Sequence, residues 1–426
     1  FTHDRAEYDS IFPEDVEAFW LEAARRRLAR QAARIPSVAE MLGATDPDSL
    51  TSLDQFIPFL FDEDAYKTYD PAWLERQDYA ALTAWMGRYT ANDYSAVDMA
   101  GCASLTEWCR RIQDQTGDMI SHSSGTSGTL SFVPRSRADQ DLFGDALMWN
   151  FQSQAPGARR EFFAGEPNDV ALFSTSPRHM FRITSGIFDA LERRYGMTVR
   201  AFEATQPPEF AIAQARIRRA ERQGRPEALA DDPIVARFRH AVEEWNATAA
   251  ERMSAWVTDL VENFRDRRVI VQGSFDLAWA IVLEFKARGI ESAFGSGSIL
   301  SVIGGIKDGS TLPADWQEQL KATLGLTDDS YSMGWGMSEI NGGLRQCPGG
   351  KLHFGPHIVP FVLEPGTRQP KPRQGVQTGQ LALLDLVSED NWGGMVSGDA
   401  ATVHWDGGCG CGRTGPFMDP ATIHRV

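Results

Sequence analysis

Apolar residues recur along this chain first at helical spacing, then in short unbroken runs or alternation. After Pro13, the residues Val16, Phe19, Trp20, Ala23 and Leu28 fall near a 3.6-residue period opposite an Arg-rich face. This predicts a helix over 13–35 laying one stripe on a core. Residues 38–118 read as short helices broken by turn signals and rich in Trp and Tyr. A helical N-terminal layer over 1–118 is therefore expected. Residues 169–173 (DVALF) form a buried-strand run and 186–195 a helical one. Residues 208–268 are helical and charged, interrupted at Pro226 and Pro233. Next, 267–273 reads as strand and turn, and 275–288 as a helix closed by Gly289. Such alternation predicts parallel sheets covered by helices, an α/β core over 119–354. From 355 onward the pattern is β, with strands expected at 357–363, 380–386 and 395–405. The first two flank a Pro/Gly/Arg-rich loop over 365–379, so 355–426 is expected to form a β-rich distal lobe.

The 426 residues suffice for a large core, and 42% hydrophobic with 23% charged residues is an ordinary globular balance. A net charge of −16 excludes nucleic acid and anionic membrane as main partners. No stretch approaches the ~20 apolar residues of a membrane span, and no basic–apolar signal opens the chain. Five cysteines in this length make no disulfide framework, so a reducing cytoplasm is the expected location.

The densest chemistry lies at 121–136, SHSSGTSGTLSFVPRS. Ser123, Ser124, Thr126, Ser127 and Thr129 surround Gly125 and Gly128, offering hydroxyls and backbone N–H groups to an oligophosphate. No lysine follows the second glycine, so this is no Walker loop. A second constellation suits metal. Cys347 and His353 are spaced C-x5-H, and Cys409 and Cys411 form C-x-C between glycines. Three thiolates and an imidazole make a closed tetrahedral set suited to structural zinc. Cys102 and Cys109, seven apart, are expected on one helical face in the core. No G-x-S-x-G elbow supports a hydrolase, which leaves His122 a local hydrogen-bonding residue or part of an acyl pocket.

Three further segments follow in order: YSMGWGMSE at 331–339, MVSGD at 395–399 and CGCGRTGP at 409–416. With SSGTSG they resemble the signature of the adenylate-forming superfamily, which includes acyl-CoA synthetases, nonribosomal adenylation domains and firefly-type luciferases. The CxCGR ending and SSGTSG spelling are most similar to phenylacetate–CoA ligases, acyl-protein synthetases and phenazine-pathway adenylating proteins. The resemblance spans 121–416; the residues before it carry no placed motif.

The resemblance implies ATP and Mg²⁺ as cofactors and adenylation of a small carboxylic acid, an aromatic one first, with release of pyrophosphate. In this pattern the loop cradles the β- and γ-phosphates, and Arg135 stands in for the lysine family members carry near the loop end. Trp335 stacks on adenine within Trp335-Gly336-Met337, Ser338 reaches the α-phosphate, Glu339 holds Mg²⁺ and Asp399 accepts the ribose hydroxyls. Gly304 and Gly305 line the adenine edge, with Lys307 following. Arg413 matches either the arginine after the ribose Asp or a zinc-loop arginine. Ser274, Phe275 and Gly297 are the acid-pocket candidates. Some relatives carry the same Cys/His and Cys-x-Cys arrangement.

Family members also carry a small C-terminal domain with an adenylation lysine. Here the chain stops ten residues after Pro416, and its lysines lie only at 67, 286, 307, 321, 351 and 371. That domain is expected to be absent or truncated, which leaves CoA, a carrier protein or an amine open as acceptor. Adenylation of a non-carboxylate such as nitrite, and a silent nucleotide-binding partner protein, stay as alternatives.

Overall fold

Asp15 accepts the Ala18 N–H at 3.0 Å and so starts the helix Val16–Ala32. Its buried stripe is Trp20, Ala24, Arg27, Leu28 and Gln31, whereas Phe19 is 46% exposed. Arg27 thus departs from the expected arginine face. Its guanidinium turns inward because it donates to the carbonyls of Asn391 and Trp392, both at 2.7 Å. Trp20 donates to the Pro356 carbonyl at 2.9 Å, and its burial contributes roughly 3 kcal/mol.

The structure, a computed structural model, describes residues 15–123, 129–151, 171–177, 181, 183–202, 206–303, 312–341 and 343–426. The chain divides into two units, one of 1–123, 129–146 and 337–426, the other of 124–128 and 147–336.

In the first unit the N-terminal helices share a core with an antiparallel sheet. The sheet runs Ile358–Leu363, Val376–Asp385, Gly394–His404, Phe417–Met418, Leu352–His353, and His424–Arg425 pairs with the third of these strands. The β reading after 355 is borne out, with the second strand starting earlier, at Val376. Phe61 bridges to this sheet, donating to the Gly394 carbonyl at 2.9 Å and accepting from Val396 at 2.8 Å. A separate hairpin pairs Met119–His122 with Phe132–Arg135. Both expected core cysteines are buried, but Cys102 precedes the helix Leu105–Thr116 that carries Cys109.

The second unit carries a parallel sheet. Its strands run Thr198–Phe202, Ala171–Pro177, Val269–Gly273, Ile299–Ile303, Tyr331–Trp335, all neighbours parallel. Helices Phe275–Ala287, Ala249–Phe264 and Trp316–Leu324 bury their apolar faces with these strands. A Cβ on Gly295 would lie 2.5 Å from the Asp266 carbonyl, so only glycine allows this chain crossing. Among the described residues no helix is long and apolar enough to cross a membrane.

A buried acid cluster in the first unit carries a pH prediction. Asp118 accepts from the Tyr94 hydroxyl at 2.9 Å and from Asn92 at 2.8 Å, and Asp139 accepts the Glu389 N–H at 2.9 Å. Burial, and then the charge of Asp139, push the Asp390 carboxyl up to about 6 from 3.8. The folded protein binds more protons than the unfolded chain between those values, so stability falls as pH rises from about 4 to about 6. Asp390→Asn should flatten that fall and add roughly 1–2 kcal/mol at pH 7, read by urea melts across pH.

Candidate active site

The hydroxyl-rich loop connects the two strands of the hairpin. Ser123 closes the described part, accepting the Ser131 N–H on its side-chain oxygen at 3.0 Å and donating its own N–H to the Ser131 carbonyl at 3.2 Å. Thr129 is half-buried at the returning end. Ser124, Gly125, Thr126, Ser127 and Gly128 lie outside the described residues, as do Gly304, Gly305 and Lys307. His122 donates from Nδ1 to the Ser123 carbonyl at 2.9 Å and is buried, a local hydrogen-bonding role.

Arg135 ends the hairpin 1% exposed. Its guanidinium donates to the carbonyls of Ser338 at 2.6 Å and Ile340 at 3.2 Å and to the Asn341 side-chain oxygen. The ring of Phe143 lies under it at 5.6 Å. Arg135 therefore holds the turn that carries Glu339. From the other side Asp385 accepts the Asn341 N–H at 2.6 Å and the Val387 N–H at 2.8 Å. Burial pushes the Asp385 carboxyl up, and Arg27 and these hydrogen bonds draw it back.

Glu339 is 9% exposed in this clamp. Burial pushes its carboxyl above the ordinary range, against its own backbone N–H, Lys67, Ser131 and Arg135. The Ser131 hydroxyl stands beside it but outside hydrogen-bond geometry. Met337 packs on the apolar core of this unit.

Asp399 sits on an irregularity in the strand Gly394–His404. Ala382 pairs with Val396 and Gln380 with Ala400, so Ser397, Gly398 and Asp399 face the single residue Leu381. Such a bulge re-aims a side chain. The Ser397 hydroxyl accepts the Asp399 N–H at 3.1 Å, and Arg425 donates to the Asp399 carboxylate at 3.2 Å. A Cβ on Gly398 would come 1.9 Å from a Glu63 oxygen and 2.5 Å from Arg425, so a side chain here would push those two exposed side-chain ends away from Asp399.

The cysteine and histidine set converges in the same unit. Ligand atoms of Cys347, His353, Cys409 and Cys411 all lie within 4.8 Å of one another. Cys347 stands 3.9 Å from Cys409, and His353 Nε2 lies 3.4 Å from the Cys411 sulfur. Cys347 enters from a tight turn in which its N–H donates to the Lys351 carbonyl at 2.8 Å. His353 comes from the strand paired with Phe417. A Cβ on Gly349 would meet the Cys409 carbonyl at 2.8 Å. Burial pushes the Cys409 thiol up to about 12. Burial also opposes Cys411 ionisation, but Cys409, the Arg413 backbone, Cys347 and the Arg413 charge draw that thiol down. Arg413 therefore stands at the cysteine loop.

In the second unit, Trp335 ends its strand 8% exposed and Gly336 follows it. Ser274 occupies the N-cap position before Phe275 without a side-chain capping bond, and Gly297 turns at φ +80°. Phe275 is a core residue, 3% exposed and edge-on to Trp316 at 5.1 Å. The structure thus gathers Ser338, Glu339, Arg135, Asp399 and the metal set in one unit, and Trp335, Ser274, Phe275 and Gly297 in the other. Sequence reasoning missed Asp385, Asn341 and Gly398; only the glycine left a trace, as the middle of SGD.

No protein-family model matches the chain, and no curated protein matches it in sequence. Solved structures do match in fold. A 2-hydroxyisobutyryl-CoA ligase in the postadenylation state, in complex with R3-HIB-AMP, aligns over 96% of this chain and 69% of its own, at 15% identity and TM-score 0.52. An open conformation of a 2-hydroxyisobutyryl-CoA ligase, in complex with 2-HIB-AMP and CoA, aligns over 93% and 72%, at 14% identity and TM-score 0.50. The chain has the α/β fold of the adenylate-forming acyl-CoA ligases.

Proposed function

We propose that the protein is an acid–AMP ligase, which adenylates a small carboxylic acid with ATP and releases pyrophosphate. The observation that carries this reading is the buried Glu339, clamped by Arg135 and Asp385 in the unit that presents Asp399 from a strand bulge. A desolvated carboxylate is a hard oxygen donor suited to Mg²⁺. The Asn341 side-chain nitrogen, buried with no hydrogen-bond partner among the described residues, offers a donor beside it. Bound Mg²⁺ would supply charge neutralisation on the phosphates.

The chain's own residues do the positioning. Arg135 fixes the turn, so Glu339 needs no reorganisation when charge arrives. Asp399 takes both ribose hydroxyls, which a carboxylate can accept together. Arg425 covers that carboxylate, so ribose binding must share or displace it. The hydroxyl loop cradles the phosphate tail and Trp335 stacks on adenine. Ser274 and Gly297 line the acid pocket, with an aromatic acid the first choice. CoA, a carrier protein or an amine takes the acyl group in a specialised biosynthetic pathway.

Cys347, His353, Cys409 and Cys411 hold a structural zinc ion. Three thiolates select a soft, tetrahedral metal, and four protein ligands leave no open position for catalysis.

Exchange of labelled pyrophosphate into ATP, run against aromatic, amino and fatty acids and against nitrite, tests the reading. Stimulation by one carboxylic acid class at least tenfold over background is the expected result. Stimulation by nitrite alone would replace the acid, and tight ATP binding without exchange would make the protein a silent nucleotide-binding partner.

A further inference from the structure

The N-terminal layer contains a polar side chain whose burial its own surroundings do not explain. Tyr66 is 2% exposed, its ring edge-on to Phe61 at 5.9 Å and tilted against Tyr89 at 5.7 Å. Its hydroxyl nevertheless finds no hydrogen-bond partner among the described residues. A phenol buried in that way costs about 1–3 kcal/mol, which phenylalanine would avoid. The turn that carries the ring is held at both ends. The Lys67 N–H donates to the Asp64 carbonyl at 2.7 Å, and the Thr68 hydroxyl accepts from Trp85 at 3.1 Å and bonds Tyr89 at 3.0 Å.

The Glu339 carboxylate exchanges charge influence with both Tyr66 and Lys67 of this turn. The carboxylate is, after burial, the strongest influence disfavouring the Tyr66 phenolate, and the Lys67 charge favours the Glu339 carboxylate more than that of Arg135 does. Met337, two residues before Glu339, packs on the cluster that contains Tyr66. The orphaned Asn341 nitrogen belongs to the same turn. Lys67 is half-buried and enters no ion pair among the described residues. Arg135, by contrast, is already committed to the carbonyls of Ser338 and Ile340.

We propose that Tyr66 and Lys67, on the turn Ala65–Lys67, complete the Glu339 site, the phenol donating a hydrogen bond and the ammonium lending its charge to the magnesium-bound triphosphate. This rests on the acid–AMP ligase reading. It gives the site the cation that the hydroxyl loop lacks, from a part of the chain with no motif. The β- and γ-phosphates are the groups that need it, so AMP alone should not sense either residue.

The test is calorimetric titration of the full chain with MgATP and separately with AMP, with melting temperatures alongside. Tyr66→Phe should weaken MgATP binding about tenfold while its melting temperature holds or rises. Lys67→Ala should weaken MgATP at least as much, and Lys67→Arg should recover most of it. All three should bind AMP like the wild type. Wild-type MgATP affinity in both Tyr66→Phe and Lys67→Ala would overturn the inference and leave the ligase reading intact. A lowered melting point in Tyr66→Phe with full MgATP affinity would make the hydroxyl structural and overturn it too. A wild-type chain that binds neither nucleotide would remove the ligase reading and this inference together.

Discussion

Glu339→Gln should lower pyrophosphate exchange by two to three orders of magnitude without lowering the melting temperature. The substitution keeps the volume and an acceptor oxygen, so the clamp made by Arg135 and Asp385 persists. What it removes is the charge. Burial already disfavours that charge, as the raised carboxyl shows, so the neutral side chain is no worse for the fold at pH 7. The sign follows from linkage. A carboxyl with a raised folded value contributes stability below its unfolded value of 4.5 and loses it as pH climbs through the folded value. Ionising Glu339 therefore costs the fold, a cost that a bound cation or developing charge would offset. The same shift makes MgATP binding weaken on acidification from a point above 4.5, and Glu339→Gln should abolish that limb. Asp399→Ala should act differently, raising the KM for ATP more than it lowers kcat, because ribose contacts are equal in ground and transition states. Normal exchange in Glu339→Gln would remove the carboxylate from the chemistry.

Much of this arrangement was readable because its chemistry-bearing residues are neighbours in the chain. Glu339 follows Trp335-Gly336-Met337-Ser338, Asp399 follows Ser397-Gly398, and Cys409 and Cys411 flank the single residue Gly410. The β-strands after 355 announce themselves by long apolar runs such as Ile358–Leu363, buried at every position. What escaped depends on partners far away in sequence. Arg27 looks like a surface arginine of an amphipathic helix, and only the carbonyls of 391 and 392 make it a buried one. Tyr66 and Lys67 look like any packing aromatic and solvated cation, and nothing in their own segment points to Glu339. Periodicity places a side chain on a face; it does not say what lies across from it. For the same reason 337–426 shares a unit with the N-terminal residues, a pairing across some three hundred positions that no local pattern encodes.

Removing zinc should cost the loop between Trp405 and Pro416 its order and the protein several degrees of melting temperature. Its many glycines leave the loop few side chains with which to anchor itself. Among its residues Cys409 and Cys411 are only half-buried, and Gly407, Gly408, Gly410, Gly412 and Gly415 all sit at positive φ. Glycine-rich chain of this kind loses much entropy on ordering and offers no apolar side chains in return. In the proposed zinc site the compensating term would be an ion tying it to Cys347 and to His353, whose strand pairs with Phe417 beyond the loop. Thiolates are the ligand form, so the set should release its ion as pH falls and the thiols protonate. Purified protein should carry one zinc per chain by elemental analysis, and under half an equivalent would count against the assignment. Cys409→Ser should lose the ion, destabilise by about 2–4 kcal/mol, and open the loop to proteolysis between 405 and 416. MgATP affinity should survive in that variant if the ion is structural. If Cys409→Ser stops exchange while its melting temperature is unchanged, the metal takes part in the chemistry, and the four-ligand closed site is the wrong description.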